Sequence, residues 1–229
     1  MEEKRPTLLR LYVGLTVFSL AGSLLSSRLN LDPGFIAPLC SFCLLLLGVG
    51  LLALRAGTSA LLLVPITGGI SEICGIYTGF PFGRYTYTGN WWPSVTLPGG
   101  HFFPVLLPFA WAKIVLACIQ LTPQEWPVAG RIAATATLAA TVDLFMEPVM
   151  VWQLRYWSWI PADGPLPGGA PYQNFIGWWL VSALAAAATL RSSVKPDRRT
   201  AAIVLGAYIA LIIGFGLIGL LGTNTAQTR

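Results

Sequence analysis

Three carboxylic acids and one amine stand where this sequence is otherwise apolar. Asp143 and Glu147 lie four residues apart in TVDLFMEPVMVW. On a helix that spacing puts both side chains on one face, with Cβ atoms roughly 5–6 Å apart. Glu72 sits in LLLVPITGGISEICGIYTGF and Lys113 in PFAWAKIVLAC. A charge at the middle of a bilayer costs ~2.5–3.5 kcal/mol, so such groups must face a bundle interior, pair, or be protonated. Carboxylates crowded in a dry site cannot all ionise, so one of them is expected to hold a proton near neutrality. That is the starting state of a general acid. The structural alternative pairs Lys113 with one acid and uses the others to hold helices together, but three acids exceed what one lysine neutralises.

The elements that must carry these groups are membrane helices. The 229 residues are 55% hydrophobic and 10% charged, with a mean hydropathy of +0.69. A soluble domain carries about 25% charged residues. Apolar segments run at approximately 8–26, 35–54, 59–80, 102–120, 129–152, 172–190 and 200–222, most of them near the ~20 residues that cross a ~30 Å core. The fourth is interrupted by Pro104 and Pro108, and the sixth is short and alanine-rich. No internal repeat is evident. The expected fold is all-α, a polytopic membrane bundle of about seven transmembrane helices, with residues 1–229 forming a single integral membrane domain. The apolar run Leu11–Leu25 has no clear cleavage site and is expected to remain as the first helix.

Orientation follows from basic residues. With the N-terminus inside, the inner side holds Lys4, Arg5, Arg10, Arg55, Arg131, Arg191, Lys195, Arg198 and Arg199, and the outer side Arg28, Arg84, Arg155 and Arg229. The excess predicts N-in and C-out, in a cell (cytoplasmic) membrane crossed many times. The formal charge of +5 belongs with lipid headgroups rather than nucleic acid, since no basic stripe or zinc pattern accompanies it. In this arrangement Glu72 lies about twelve residues, roughly 18 Å, from the inner end of its segment, and Asp143 lies at a similar depth. Glu147 is one turn nearer the outside. Pro148 is expected to kink the fifth segment. Gly68, Gly69, Gly75 and Gly79 leave room around Glu72 for close helix approach or a flat ligand.

Two outer loops are unlike the rest. PFGRYTYTGNWWPSVTLPGGH and QLRYWSWIPADGPLPGGAP are rich in Trp, Tyr, Gly and Pro. Aromatics anchor proteins at membrane surfaces, but two such loops on one side also make the rim of a cavity. A buried acid among aromatics suits protonation of a carbon–carbon double bond in an apolar substrate, because π faces stabilise a cation. Tyr77, Tyr85, Tyr87, Trp91, Trp92, Trp152, Tyr156, Trp157 and Trp159 are the candidate faces. If a second carboxylate holds a water, the outcome is hydration; without that water it is isomerisation or cyclisation. The four cysteines, Cys40 and Cys43 in CxxC among them, read as packing residues. His101, the only histidine, reads as an interfacial residue without a chemical role, and no metal site is expected.

These motifs resemble the membrane carotenoid-biosynthesis proteins that include the carotenoid 1,2-hydratases. The resemblance rests on GGISEICGIYTGFPFGRYTY at 68–87, DLFMEPVMVWQLRYWSW at 143–159 and PYQNFIGWW at 171–179, three blocks in the family's order. It implies a long-chain carotenoid substrate dissolved in the bilayer and addition of water, without a cofactor, across the terminal C1,C2 double bond. The product is then a tertiary alcohol, as in bacterioruberin-type pigments. Membrane lipids and other carotenoid-pathway enzymes are the candidate partners.

Within that reading Asp143 is the expected proton donor, with Glu72 as the alternative, and Glu147 is the base that takes the proton of water. Asn174 is placed to orient that water, Arg84 to pair with an acid, and Lys113 to line the substrate site. Three readings compete. A cyclase or isomerase shares the protonation step, a non-enzymatic carrier or transporter suits seven helices with buried charges, and a prenyltransferase needs a second acid-rich motif that the chain lacks.

Overall fold

The computed structural model describes residues 5–190 and 196–226. Lys4, Arg191, Lys195 and Arg229, counted for orientation above, lie outside the described residues. Seven α-helices are present among the described residues: α1 (Arg5–Leu29), α2 (Ile36–Ala53), α3 (Thr58–Thr78), α4 (Leu107–Leu121), α5 (Val128–Pro148), α6 (Tyr172–Thr189) and α7 (Arg198–Ala226). They match the seven apolar segments in order. Five of them, α1, α2, α3, α5 and α7, are long and apolar enough to cross a membrane, so this is a largely helical membrane protein with five apolar spans.

The other two differ for physical reasons. α4 has 15 residues and is about 22 Å long at 1.5 Å per residue, short of a ~30 Å core. Its residues Trp111 to Gln120 are all buried, because it is the central helix, packed against α2, α3, α5 and α7. α6 opens on Tyr172, Gln173 and Asn174, which lower its mean hydropathy. It packs along α5 and α3, where buried Ala136, Ala139 and Ala140 of α5 and Ala185 and Ala186 of α6 permit close approach. α1 packs on α2 and α7. Its start is tied to the start of α7 by Arg5, which donates to Thr200 at 2.6 Å and pairs with Asp197.

Pro148 does not end the fifth helix. Val149–Gln153 continue it as a π-helical turn, a wider turn that accommodates the donor proline lacks. α3 does stop sharply. Gly79 takes φ +76° at its C-cap and donates its N–H to the Gly75 carbonyl at 2.8 Å, the left-handed close that glycine allows.

The two aromatic loops contain short strands: β1 (Tyr85–Tyr87), β2 (Ser94–Thr96), β3 (Phe102–Pro104) and β4 (Trp157–Trp159). β2 pairs with β3 as a hairpin within the first loop. β1 pairs antiparallel with β4 of the second loop, with Tyr85 opposite Trp159, Thr86 opposite Ser158 and Tyr87 opposite Trp157. Side chains alternate along a strand, so all four large aromatics are buried while Thr86 and Ser158 are exposed.

Candidate active site

The strand alternation aims two tyrosines and two tryptophans at carboxylates. Glu72 accepts a hydrogen bond at 2.6 Å from the Tyr85 hydroxyl and one at 2.9 Å from the Tyr87 hydroxyl, both on Oε2. Trp111 Nε1 donates to Oε1 at 3.0 Å. Glu147 accepts on Oε2 from Trp157 Nε1 at 3.2 Å and Trp159 Nε1 at 2.9 Å. Asn174 Nδ2 donates to Glu147 Oε1 at 3.0 Å and to Asp143 Oδ2 at 2.7 Å. The amide thus spans the two acids that share a helix face. Asp143 Oδ1 is buried and has no partner among the described residues.

The three acids therefore differ. Glu72 and Glu147 each receive donors on both oxygens, an arrangement that favours a carboxylate over a neutral acid. Asp143 receives one donor and keeps one oxygen unengaged. Burial, and then the charge of Glu72, pushes the Tyr85 and Tyr87 phenols well above their ordinary range, so both remain hydrogen-bond donors. The tyrosines and tryptophans also brace one another edge to face. Tyr85 meets Trp159 at 5.4 Å between centroids and Tyr87 meets Trp157 at 6.1 Å, favourable geometry for quadrupolar rings.

Gly168 holds the second loop against this site. It takes φ +75°, and a Cβ built on it would stand 2.9 Å from the Glu147 backbone. Glycine is required there by both conformation and space. Trp111 and Trp178 stack at 3.8 Å between centroids with 14° between their planes, which joins α4 to α6.

All three acids line one cavity of about 830 Å³. Its walls include the expected Tyr85, Tyr87, Trp91, Trp92, Tyr156, Trp157, Trp159, Asn174 and Lys113. Trp91 and Tyr156 stack at 5.2 Å and 12°. From the acids the cavity runs between α1, α2 and α7, past Ser23, Ile36 and Phe215. A largely apolar space of this size with buried acids in its wall has room for one end of an extended apolar molecule.

Three expected residues lie elsewhere. Tyr77 is 48% exposed; its hydroxyl donates to the Pro98 carbonyl and its ring packs on His101. Trp152 is 63% exposed. The Arg84 side chain is exposed and pairs with no acid among the described residues. It is displaced because β1 alternates: Tyr85 and Tyr87 point in, and Arg84, next before them, points out.

The ion pair of the structural alternative does not form among the described residues, and Lys113 lines the cavity. Its Nζ sits 3.6 Å from the centroid of Tyr208, and it pairs with no acid among the described residues. Tyr208 itself donates to Met146 Sδ at 3.2 Å. Trp111 and Tyr208 stand outside the sequence motifs, and Trp178 lies inside PYQNFIGWW with no role of its own assigned there. Tyr208 left a trace in the sequence, as the only hydroxyl-bearing residue between Ala201 and Leu221.

A membrane helical protein built around an acid-lined, aromatic-walled cavity is the class that fold and site define. The chain belongs to the carotenoid biosynthesis protein family, whose model matches residues 35–228. That match takes in α2 and α7, which line the cavity, as well as the motif-bearing stretch from 68 to 180. A relative, bisanhydrobacterioruberin hydratase of Haloarcula japonica, is 27% identical over 179 residues, covering 74% of this chain. The chain spans 58% of that relative's length. No solved structure matches.

Proposed function

We propose that the protein adds water across the terminal C1,C2 double bond of an acyclic or monocyclic carotenoid. The observation that carries this reading is the inequality of the acids: in an aromatic cavity, Asp143 alone keeps an oxygen unengaged. A protonated Asp143 gives its proton to C2. The tertiary cation at C1 is flanked by the tyrosine and tryptophan faces. Water attacks C1 and loses its proton to Glu147, and Asn174 holds both acids in place. That proton then returns to Asp143, one turn away on the same helix, so the enzyme is unchanged and one water is consumed. Glu72, held by three donors, keeps a negative charge near the cation. This role replaces its candidacy as donor.

Family membership supports a carotenoid-pathway enzyme, and the printed activity of the Haloarcula relative supports hydration. The same reading takes residues 1–229 as one membrane domain crossing a cytoplasmic membrane seven times with its N-terminus inside, α4 and α6 being carried by their neighbours. The test is expression in a host that makes an acyclic carotenoid, followed by mass analysis. One or two added waters per polyene is the expected result. A product of unchanged mass assigns the protonation step to a cyclase or isomerase, and an unconverted polyene bound by purified protein assigns the cavity to a carrier.

A further inference from the structure

Lys113 Nζ and Asp143 Oδ1, polar atoms of the cavity that come from different helices, have no hydrogen-bond partner among the described residues. Lys113, on α4, is 7% exposed, lines the cavity and has an aromatic ring beneath its Nζ. No hydrogen-bond acceptor meets its ammonium among the described residues. Asp143 Oδ1, on α5, has no partner either. Tyr208 lies by both: its ring is under Lys113, and its hydroxyl reaches Met146, three residues along from Asp143. A buried polar group without a partner costs a few kcal/mol, more if charged, so a ligand that satisfies both atoms is favoured in the cavity.

A ligand that satisfies both atoms must accept from an ammonium and suit a carboxyl oxygen in either protonation state. An anion suits the first need and fails the second, since three carboxyls line the same cavity. Water suits both. It accepts from Nζ, accepts from a protonated Oδ1 and donates to an ionised one. A water also needs two to four polar partners to be held in a buried site, which Lys113 and Asp143 begin to supply.

We propose that Lys113 is a positioning residue that retains water in the cavity beside the acids. This rests on the hydratase reading and deepens it, because it names what decides the fate of the cation. An apolar site open to lipid must hold water at the moment C1 becomes positive. If water is absent, the cation loses a proton from carbon or is captured by a neighbouring double bond, and the mass of the polyene does not change. Lys113 acts on that branch rather than on proton donation by Asp143.

The experiment measures the ratio of hydrated product to converted product of unchanged mass, using membranes that contain the full chain and an acyclic polyene. Lys113→Met is compared with wild type and with Lys113→Arg, which keeps charge and donors. In Lys113→Met the ratio is expected to fall by about tenfold, the scale of one charge-assisted hydrogen bond, and Lys113→Arg is expected to restore much of it. Lys113→Gln, polar and closer in length, provides the same readout if the methionine variant fails to accumulate. If wild type hydrates and both neutral variants lose rate without a change in ratio, the assignment of Lys113 is overturned and its role is packing. If wild type forms no hydrated product, the hydratase reading itself fails.

Discussion

The chain builds a similar unit twice, and the two copies differ where chemistry is expected. α3, β1, a Leu-Pro-Gly-Gly turn and α4 make the first; α5, β4, a second Leu-Pro-Gly-Gly turn and α6 make the second. The turns share their hydrogen bonds. Leu97 N–H donates to the His101 carbonyl and Gly100 N–H to Leu97, as Leu166 does to Ala170 and Gly169 to Leu166. Each unit places a glutamate near the end of its first helix and points two aromatic donors from its strand at it. The strands pair antiparallel, and Trp111 and Trp178 stack where the second helices meet.

One turn before the glutamate the units diverge. The first has Gly68, where a Cβ would stand 2.3 Å from Trp111 Cγ, so no acid fits. The second has Asp143, bridged to Glu147 by Asn174. The same scaffold therefore makes one saturated carboxylate and one acid pair with an oxygen to spare. The first suits a fixed charge, and the second suits a proton that moves.

Substitutions can break or sharpen this contrast. Asp143→Asn is expected to lower hydration per protein by about a thousandfold, within the range for loss of a general acid. It should do so at normal membrane levels, because it can still accept from Asn174. Activity close to wild type in this variant ends the assignment of the mobile proton. Glu147→Gln comes next. A loss of about a hundredfold is expected, with lower thermal stability in detergent, since an amide NH₂ must face Trp157, Trp159 or Asn174, all of them donors.

Glu72→Gln is expected to lose only about tenfold, the scale of one charge-assisted hydrogen bond. The two tyrosine hydroxyls can rotate to accept from an amide, which the tryptophans of the second unit cannot do. If Glu72→Gln falls as far as Asp143→Asn, the two units share the proton work and the contrast is lost. Tyr77→Phe and Arg84→Gln, at positions off the cavity, should remain within about twofold of wild type, as surface changes generally do. A large loss in either would mean that the site reaches beyond the cavity wall.

The sequence and the structure agree best where local patterning decides the outcome. Seven apolar runs became seven helices, and the intramembrane acids did collect in one place, because burying them singly is costly. What escaped the sequence reading depended on distant parts of the chain. YTY and WSW are legible as aromatic rims but not as strands, since these three-residue strands exist only by pairing across 70 to 74 residues. Trp111 looked like one more apolar residue of a core helix until Glu72 was placed against it. The repeated unit was hidden because its helices share little sequence and its loops differ in length, and only the second Leu-Pro-Gly-Gly betrayed it. Arg84 lies off the cavity because a strand sorts neighbours to opposite faces, which loop composition does not show, and Tyr77, on α3, is turned instead to Pro98 and His101.

The hydrogen bonds to the acids also bear on how the protein is made. Glu72 receives its donors from 13, 15 and 39 residues further along the chain. Glu147 receives its donors from 10, 12 and 27 residues further on, and Asp143 from 31. Every partner follows its acid and belongs to the same unit, so no donor has to wait for a distant helix. During synthesis the donors for each acid emerge directly after it, and the pairing of β1 with β4 fixes the strand donors once the two units meet. Contacts this local form early and quickly, so each unit reaches the bilayer carrying the donors for its own acids.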